Sequence, residues 1–323
     1  MDGMTLGGWD VHTHLIPPAV VAAGEKQRFG MQRNQGTLHI CSHGVPLHPL
    51  TEINKLVDRV AGDKLDGAIV SVPPPLFRHD LSDGDHAAYT DLVNDSLQNA
   101  CRAHHPRLRP HAYLPINNPE LATKVASQLG SEWAGVVAGT ELGRLSYASD
   151  RYDPLWKTLS DARLPLFIHP GSSPDKRLDD FYLSNLLGNP VETTIAAANL
   201  VFGGVMHRFP NLKVILAHGG GCVCALYGRW QQGAATHRPG IPTLALEPQD
   251  AVRRFYVDSV VHSSPFLRAV IEILGEERIL LGSDWPFPMG ASSAEYDLGI
   301  LDAALQHKIR KANAETLFGS RLF

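Results

Sequence analysis

With 323 residues, 44% of them hydrophobic and 19% charged, the chain has enough apolar material for a sizeable core and too little charge for a disordered polymer. A formal net charge of −4 argues against nucleic acid as a partner, because a polyanion recruits concentrated positive charge. Four cysteines do not make a disulfide scaffold, no basic and apolar leader opens the sequence, and no apolar run reaches the roughly 18 residues of a membrane helix, so a cytoplasmic protein without membrane contact is expected.

Short apolar runs alternate with longer amphipathic ones. A first strand is expected over 8–11, leading into Asp10-Val11-His12-Thr13-His14. Residues 19–49 are too long for a simple strand-to-helix loop and hold His39, His43 and His48; they are expected as an insertion at the mouth of the fold, part lid and part substrate wall. A helix over 51–61 turns Ile53, Leu56, Val57 and Val60 to one side. The run 67–72 reads as a strand stopped by three prolines, and 89–102 as a helix with Leu92, Val93 and Leu97 on its apolar face. Residues 109–114 form a third strand, and a helix opens at Pro119, where a missing N–H does no harm. Strands follow at 134–138, 164–168, 212–217 and 254–258, then a helix over 265–274 and a last strand at 279–282.

Runs this short and apolar suit a parallel sheet buried on both faces. Eight strand–helix units of about 40 residues fit one (β/α)8 barrel domain over 1–323, with the insertion after strand 1. The competing doubly wound sheet lacks its nucleotide signature, since Gly219-Gly220-Gly221 runs into Cys222 rather than spaced glycines.

The chemistry lies in part of the 16 histidines. Residues two apart on a strand share a face, so His12 and His14 can address one ion. His169, His218 and Asp284 each follow a predicted strand directly, at the edge where barrel sites lie. His12, His14, His169 and Asp284 make three imidazoles and a carboxylate, a set for one divalent metal, Zn²⁺ first and Mn²⁺ second. Asp10 faces the same side as His12, as an outer acceptor or an additional ligand. Trp285 and Phe287 beside Asp284 could wall an aromatic ring. Cys222 and Cys224 sit in apolar sequence that favours packing.

Four segments carry a resemblance: Asp10-Val11-His12-Thr13-His14, Phe167-Ile168-His169-Pro170, Leu216-Ala217-His218-Gly219-Gly220-Gly221 and Gly282-Ser283-Asp284-Trp285-Pro286. Together they resemble the amidohydrolase superfamily, and more closely its decarboxylase branch. The stretch Gly188-Asn189-Pro190-Val191-Glu192-Thr193-Thr194 resembles that branch as well. The resemblance implies a distorted TIM barrel of the metal-dependent hydrolase type, one divalent metal on His12, His14, His169 and Asp284, and His218 as acid or base beside it, with Asp284 assisting. Gly139-Thr140-Glu141 holds no lysine for a two-metal centre. Arg229 matches in spacing an arginine that reaches into a partner's site, which implies a homodimer. The branch's arginine in the first insertion is missing from Gly36-Thr37-Leu38-His39-Ile40-Cys41, so Arg33 or His39 is the candidate to take over substrate binding.

The expected activity is non-oxidative decarboxylation of an unsaturated or aromatic carboxylic acid, with His218 as proton donor and neither nicotinamide nor pyridoxal phosphate. Three alternatives stand beside it: hydrolysis of a lactone or related carbonyl compound, hydration of a conjugated acid, and a non-catalytic barrel scaffold stabilised by its metal.

Overall fold

Each of the eight expected strands forms in the computed structural model, which describes residues 7–41, 43–171, 173–293 and 298–323. β1 (Trp9–His14) is followed by three strands of the insertion, β2 (Met31–Asn34), β3 (Thr37–Ile40) and β4 (His43–Pro46). Then come β5 (Gly67–Ser71), β6 (Leu108–Tyr113), β7 (Gly135–Ala138), β8 (Leu166–Ile168), β9 (Val214–Leu216), β10 (Tyr256–Asp258) and β11 (Ile279–Leu280). β1 and β5 to β11 pair in that order as one eight-stranded parallel sheet. Hydrogen bonds just beyond β11 curl the sheet onto itself: Val11 N donates to Leu281 O at 2.9 Å and His14 N to Trp285 O at 2.8 Å. The result is a (β/α)8 barrel. Closure sets Asp284 directly against β1, where its N donates to His12 O at 2.8 Å.

The barrel strands are buried throughout, as continuous apolar runs require when helices cover one face and the barrel interior the other. The helix Ser264–Leu274 shows how the cover is made. Ser263 caps it by accepting from Phe266 N at 3.4 Å, and Gly275, at φ 100°, ends it. Leu267, Val270 and Leu274 recur at helical spacing on its inner face. Burying each contributes on the order of 2 kcal/mol. No helix among the described residues is long and apolar enough to cross a membrane.

The insertion folds as the helix Pro18–Glu25 and the antiparallel sheet β2–β3–β4. Leu38 and Ile40 alternate with His39 along β3, and the apolar pair turns inward. Gly24 lets the helix approach closely, because a Cβ there would lie 2.4 Å from Leu38 Cδ1. Arg78, buried beyond β5, ties the insertion to the barrel by donating to Phe29 O at 2.6 Å while pairing with Asp80.

Candidate active site

The C-terminal ends of the barrel strands bring four side chains together. One ligating atom each from His12, His14, His169 and Asp284 lies within 4.8 Å of the others, and all four residues are buried. The far ring nitrogen of each histidine is engaged. His12 Nδ1 is 2.7 Å from Asp258 Oδ2, His14 Nδ1 is 3.2 Å from Ser71 Oγ, and His169 Nδ1 is 2.8 Å from Pro170 O. Those contacts fix the rings and direct all three Nε2 atoms inward. His12 Nε2 and His14 Nε2 are 3.1 Å apart, and they stand 3.2 and 3.0 Å from Asp284 Oδ1. His169 Nε2 is 4.0 Å from the same oxygen and buried without a hydrogen-bond partner.

This donor set fits a divalent cation. Inward-facing lone pairs at such distances repel unless positive charge sits among them. The protonation pattern says the same. Burial alone would keep His12 neutral, but Asp284 and Asp258 outweigh it and raise the ring to about 10. Burial drives His169 down to about 3 and lowers His14. The cluster therefore calls for positive charge, which one cation supplies while all three imidazoles stay neutral ligands.

His218 stands next to this set rather than in it. Its Nε2 is 3.6 Å from Asp284 Oδ2, the oxygen turned away from His14. Its Nδ1 is buried with no hydrogen-bond partner. The turn that carries it is held by Asp258, fully buried at the end of β10. Asp258 Oδ2 accepts from His218 N at 2.9 Å, and Oδ1 from Gly219 N at 2.9 Å and Val260 N at 3.1 Å. One carboxylate thus positions both the His12 ring and the backbone of His218. The glycines after His218 answer to space and conformation: at Gly219 (φ 62°) a Cβ would lie 2.3 Å from Val261 Cγ1, and at Gly221 (φ 61°) 2.3 Å from Pro190 O. His218 and Asp284 also hold positive φ, 56° and 58°, without being glycine. Such strain costs on the order of 1 kcal/mol each and clusters at functional sites.

Above these groups opens a cavity of about 460 Å³, with His169, His218 and Asp284 at its floor. Phe287, on its wall, meets His14 edge-on at 5.3 Å between ring centroids. A pocket of this size holds a small organic molecule.

A family model described as amidohydrolase matches residues 9–320. The chain belongs to the amidohydrolase family. The chain is 35% identical over 298 residues to the 6-methylsalicylic acid decarboxylase of Penicillium expansum, covering 86% of this chain and 84% of the relative. It is 26% identical over 297 residues to the 2-amino-3-carboxymuconate-6-semialdehyde decarboxylase of Dictyostelium discoideum, covering 87% and 82%. It also matches the crystal structure of a dihydroxybenzoic acid decarboxylase from a Polaromonas species, solved with bound manganese and the inhibitor 2-nitroresorcinol. That match has a TM-score of 0.79 at 22% identity over 97% of this chain and 96% of the other, and it shows the shared fold.

Of the residues that the sequence singles out, His12, His14, His169, Asp284 and His218 come together. Asp10 is adjacent but turned aside, accepting from Ser283 N at 3.0 Å and His12 N at 3.1 Å; burial raises its carboxyl to about 6. Trp285 bridges to Thr13 through its backbone and is not among the described residues lining the cavity. Arg33 pairs with Glu25, His39 lies on the solvent face of β3, and Arg229 is exposed on the helix Val223–Ala235. No described residue of 19–49 lines the cavity, so within one chain the insertion does not build the substrate wall expected of it. The reason is the alternation on β3, where Leu38 and Ile40 take the inner face. Sequence reasoning gave Asp258 no role, although it ends a strand as His169, His218 and Asp284 follow theirs. Phe287, expected with Trp285 to wall an aromatic ring, does line the cavity, whereas the wall residues Val260 and Val261 carried no signal beyond ordinary packing.

Proposed function

We propose that this chain is a metal-dependent, non-oxidative decarboxylase of an aromatic or unsaturated carboxylic acid, built as one barrel domain with residues 19–49 as its insertion. The observation that carries the reading is His218, an imidazole on the cavity floor beside four metal-suited donors and not needed among them. The kinship with decarboxylases supports it. His12, His14 and His169 would hold the cation through Nε2 and Asp284 through Oδ1. Three imidazoles favour Zn²⁺, with Mn²⁺ the second choice. When bound, the cation supplies positive charge that fixes the substrate's carboxylate and a neighbouring oxygen.

The remaining work falls to side chains. His218, as imidazolium, gives its proton to the carbon bearing the carboxylate. A C–H bond forms, the C–C bond breaks, its electron pair stays with the substrate carbon framework, and CO₂ leaves. No electrons are gained or lost overall, so no nicotinamide is required, and because the substrate carbon is protonated as the C–C bond breaks, no pyridoxal phosphate electron sink is required either. Asp284 Oδ2 steadies the imidazolium from 3.6 Å. Asp258 holds the His218 turn against the floor through the 2.9 Å bond from His218 N. The spacing of Arg229 from His218, similar to that of an arginine that reaches into a partner's site in this branch, supports a homodimer, and light scattering at micromolar concentration checks that assembly.

His218→Asn tests the reading. It should lose roughly 10²- to 10⁴-fold in rate while keeping its metal. An undiminished rate would reject His218 as proton donor. Ring opening of a lactone without CO₂ release would move the chain to the hydrolase alternative.

A further inference from the structure

The barrel face opposite the candidate active site carries a second concentration of charge. Lys213 directly precedes β9, Arg278 directly precedes β11, and Arg254 stands two residues before β10. These strands are neighbours in the order β9–β10–β11, with Tyr256 paired to Ile215 and Val257 to Ile279. Carried back two residues, the β9–β10 register sets Arg254 level with Lys213. Parallel strands all start on one side, so the three cations gather at the N-terminal mouth of the barrel, at the far end from the metal-suited cluster. Each is partly buried.

Among the described residues, none of the three forms an ion pair. The acids nearest Arg278 in sequence are turned elsewhere: Glu276 pairs with Lys308 at 2.7 Å, and Glu277 folds back over Gly275. Burial lowers the Lys213 ammonium, and Arg278 and Arg254 lower it further, with no carboxylate acting against them. The guanidinium groups are nevertheless held in place. Arg254 Nη1 donates to Met206 O at 2.6 Å, and Arg278 lies over the Tyr256 ring, 4.8 Å from its centroid. Arg278 Nε is buried with no hydrogen-bond partner. Like charges held side by side cost stability unless a counter-charge sits among them. Two guanidinium forks and an ammonium match the oxygens of a tetrahedral dianion.

We propose that Lys213, Arg254 and Arg278 form a phosphate-binding site, separate from the metal-suited cluster, for inorganic phosphate or the phosphoryl group of a small monoester. An anion bound there ties together the starts of three strands whose far ends lead to His218, Asp258 and Asp284.

Calorimetry and thermal unfolding of the metal-loaded protein, in phosphate against chloride at equal ionic strength, test the site. At about ten times its Kd, phosphate should raise the parent's midpoint by about 2 °C. Arg278→Gln and Lys213→Gln should each weaken phosphate binding about 10-fold, and Lys213→Arg should retain it. In chloride, Lys213→Gln should unfold no earlier than the parent, because it relieves repulsion. In phosphate the parent should be the more stable of the two, so the order reverses. Activity measured in chloride should be unchanged in all three variants. A variant weaker than the parent by the same margin in both salts gives the side chain a packing role and overturns the proposal. Phosphate held by the metal centre would shift parent and variants alike, and that result, or equal parent midpoints in the two salts, overturns it as well. Glycerol phosphate binding about 10-fold tighter than phosphate supports the site and assigns it to an ester, since only contacts beyond the phosphoryl group add that affinity. Equal or weaker binding of the ester, with the salt-dependent reversal intact, supports the site and assigns it to the free ion.

Discussion

Two strand systems in this chain, β1 and the insertion sheet, carry histidines next to apolar residues, and they use them in opposite ways. On β1, His12 and His14 are fully buried, and each Nδ1 is held, by Asp258 in one case and Ser71 in the other. On β3, His39 stands on the solvent face while Leu38 and Ile40, with Val45 of β4, fill the inner one. Residue type alone does not separate the two systems. The difference lies in which face the apolar neighbours take, and in whether a buried partner fixes the ring so that its other nitrogen can bind.

The contrast is broken most severely at the floor. His14→Ala should lower activity on the order of 10³-fold and cut metal content below half in elemental analysis, since the metal's charge stabilisation goes with it. In the insertion the apolar side chains carry the weight. Leu38→Ala should cost about 2–5 kcal/mol in chemical denaturation and leave kcat/KM of the folded enzyme unchanged. A specific loss of turnover there, at unchanged stability, would put the insertion in the site.

Smaller effects sharpen the comparison. Asp258→Asn keeps the shape but weakens the hold on His12 and the His218 turn, and should lower metal affinity about 10- to 100-fold in a chelator competition. His111 is a third kind of histidine, buried in the barrel with neither ring nitrogen hydrogen-bonded. Burial pushes it from 6.5 down to about 3. Between those values the unfolded chain takes up a proton that the folded one refuses, so stability is full above 6.5 and falls as pH drops toward 3. At about pH 5 the loss is on the order of 2 kcal/mol, and His111→Phe should flatten that limb relative to the parent. His39→Ala should change stability by no more than about 0.5 kcal/mol and leave kcat/KM within error. A tenfold change would erase the distinction between the two strand systems.

The barrel was legible because its strands are short, continuous apolar runs, and His169, His218 and Asp284 were legible because each directly follows one. Asp258 shares that setting and was passed over, because an acid needs a partner before its role shows and His12 lies 246 residues away. The orientation of His39 was readable in principle from the alternation Leu38-His39-Ile40, but the functional pull of the histidine outweighed the packing demand of its neighbours. The wall of Val260, Val261 and Phe266 was not readable. Such residues look alike whether they face a core or a ligand, and only chain closure decides which.

The account turns on a proton reaching the carbon that loses CO₂. The most direct measurement is turnover of the preferred acid in D₂O, with CO₂ quantified and the product analysed by mass spectrometry and NMR. The account predicts one CO₂ per turnover and one deuterium on the carbon that bore the carboxylate, with both abolished together in His218→Asn. Uptake of ¹⁸O from labelled water into a ring-opened product, without CO₂, would contradict it.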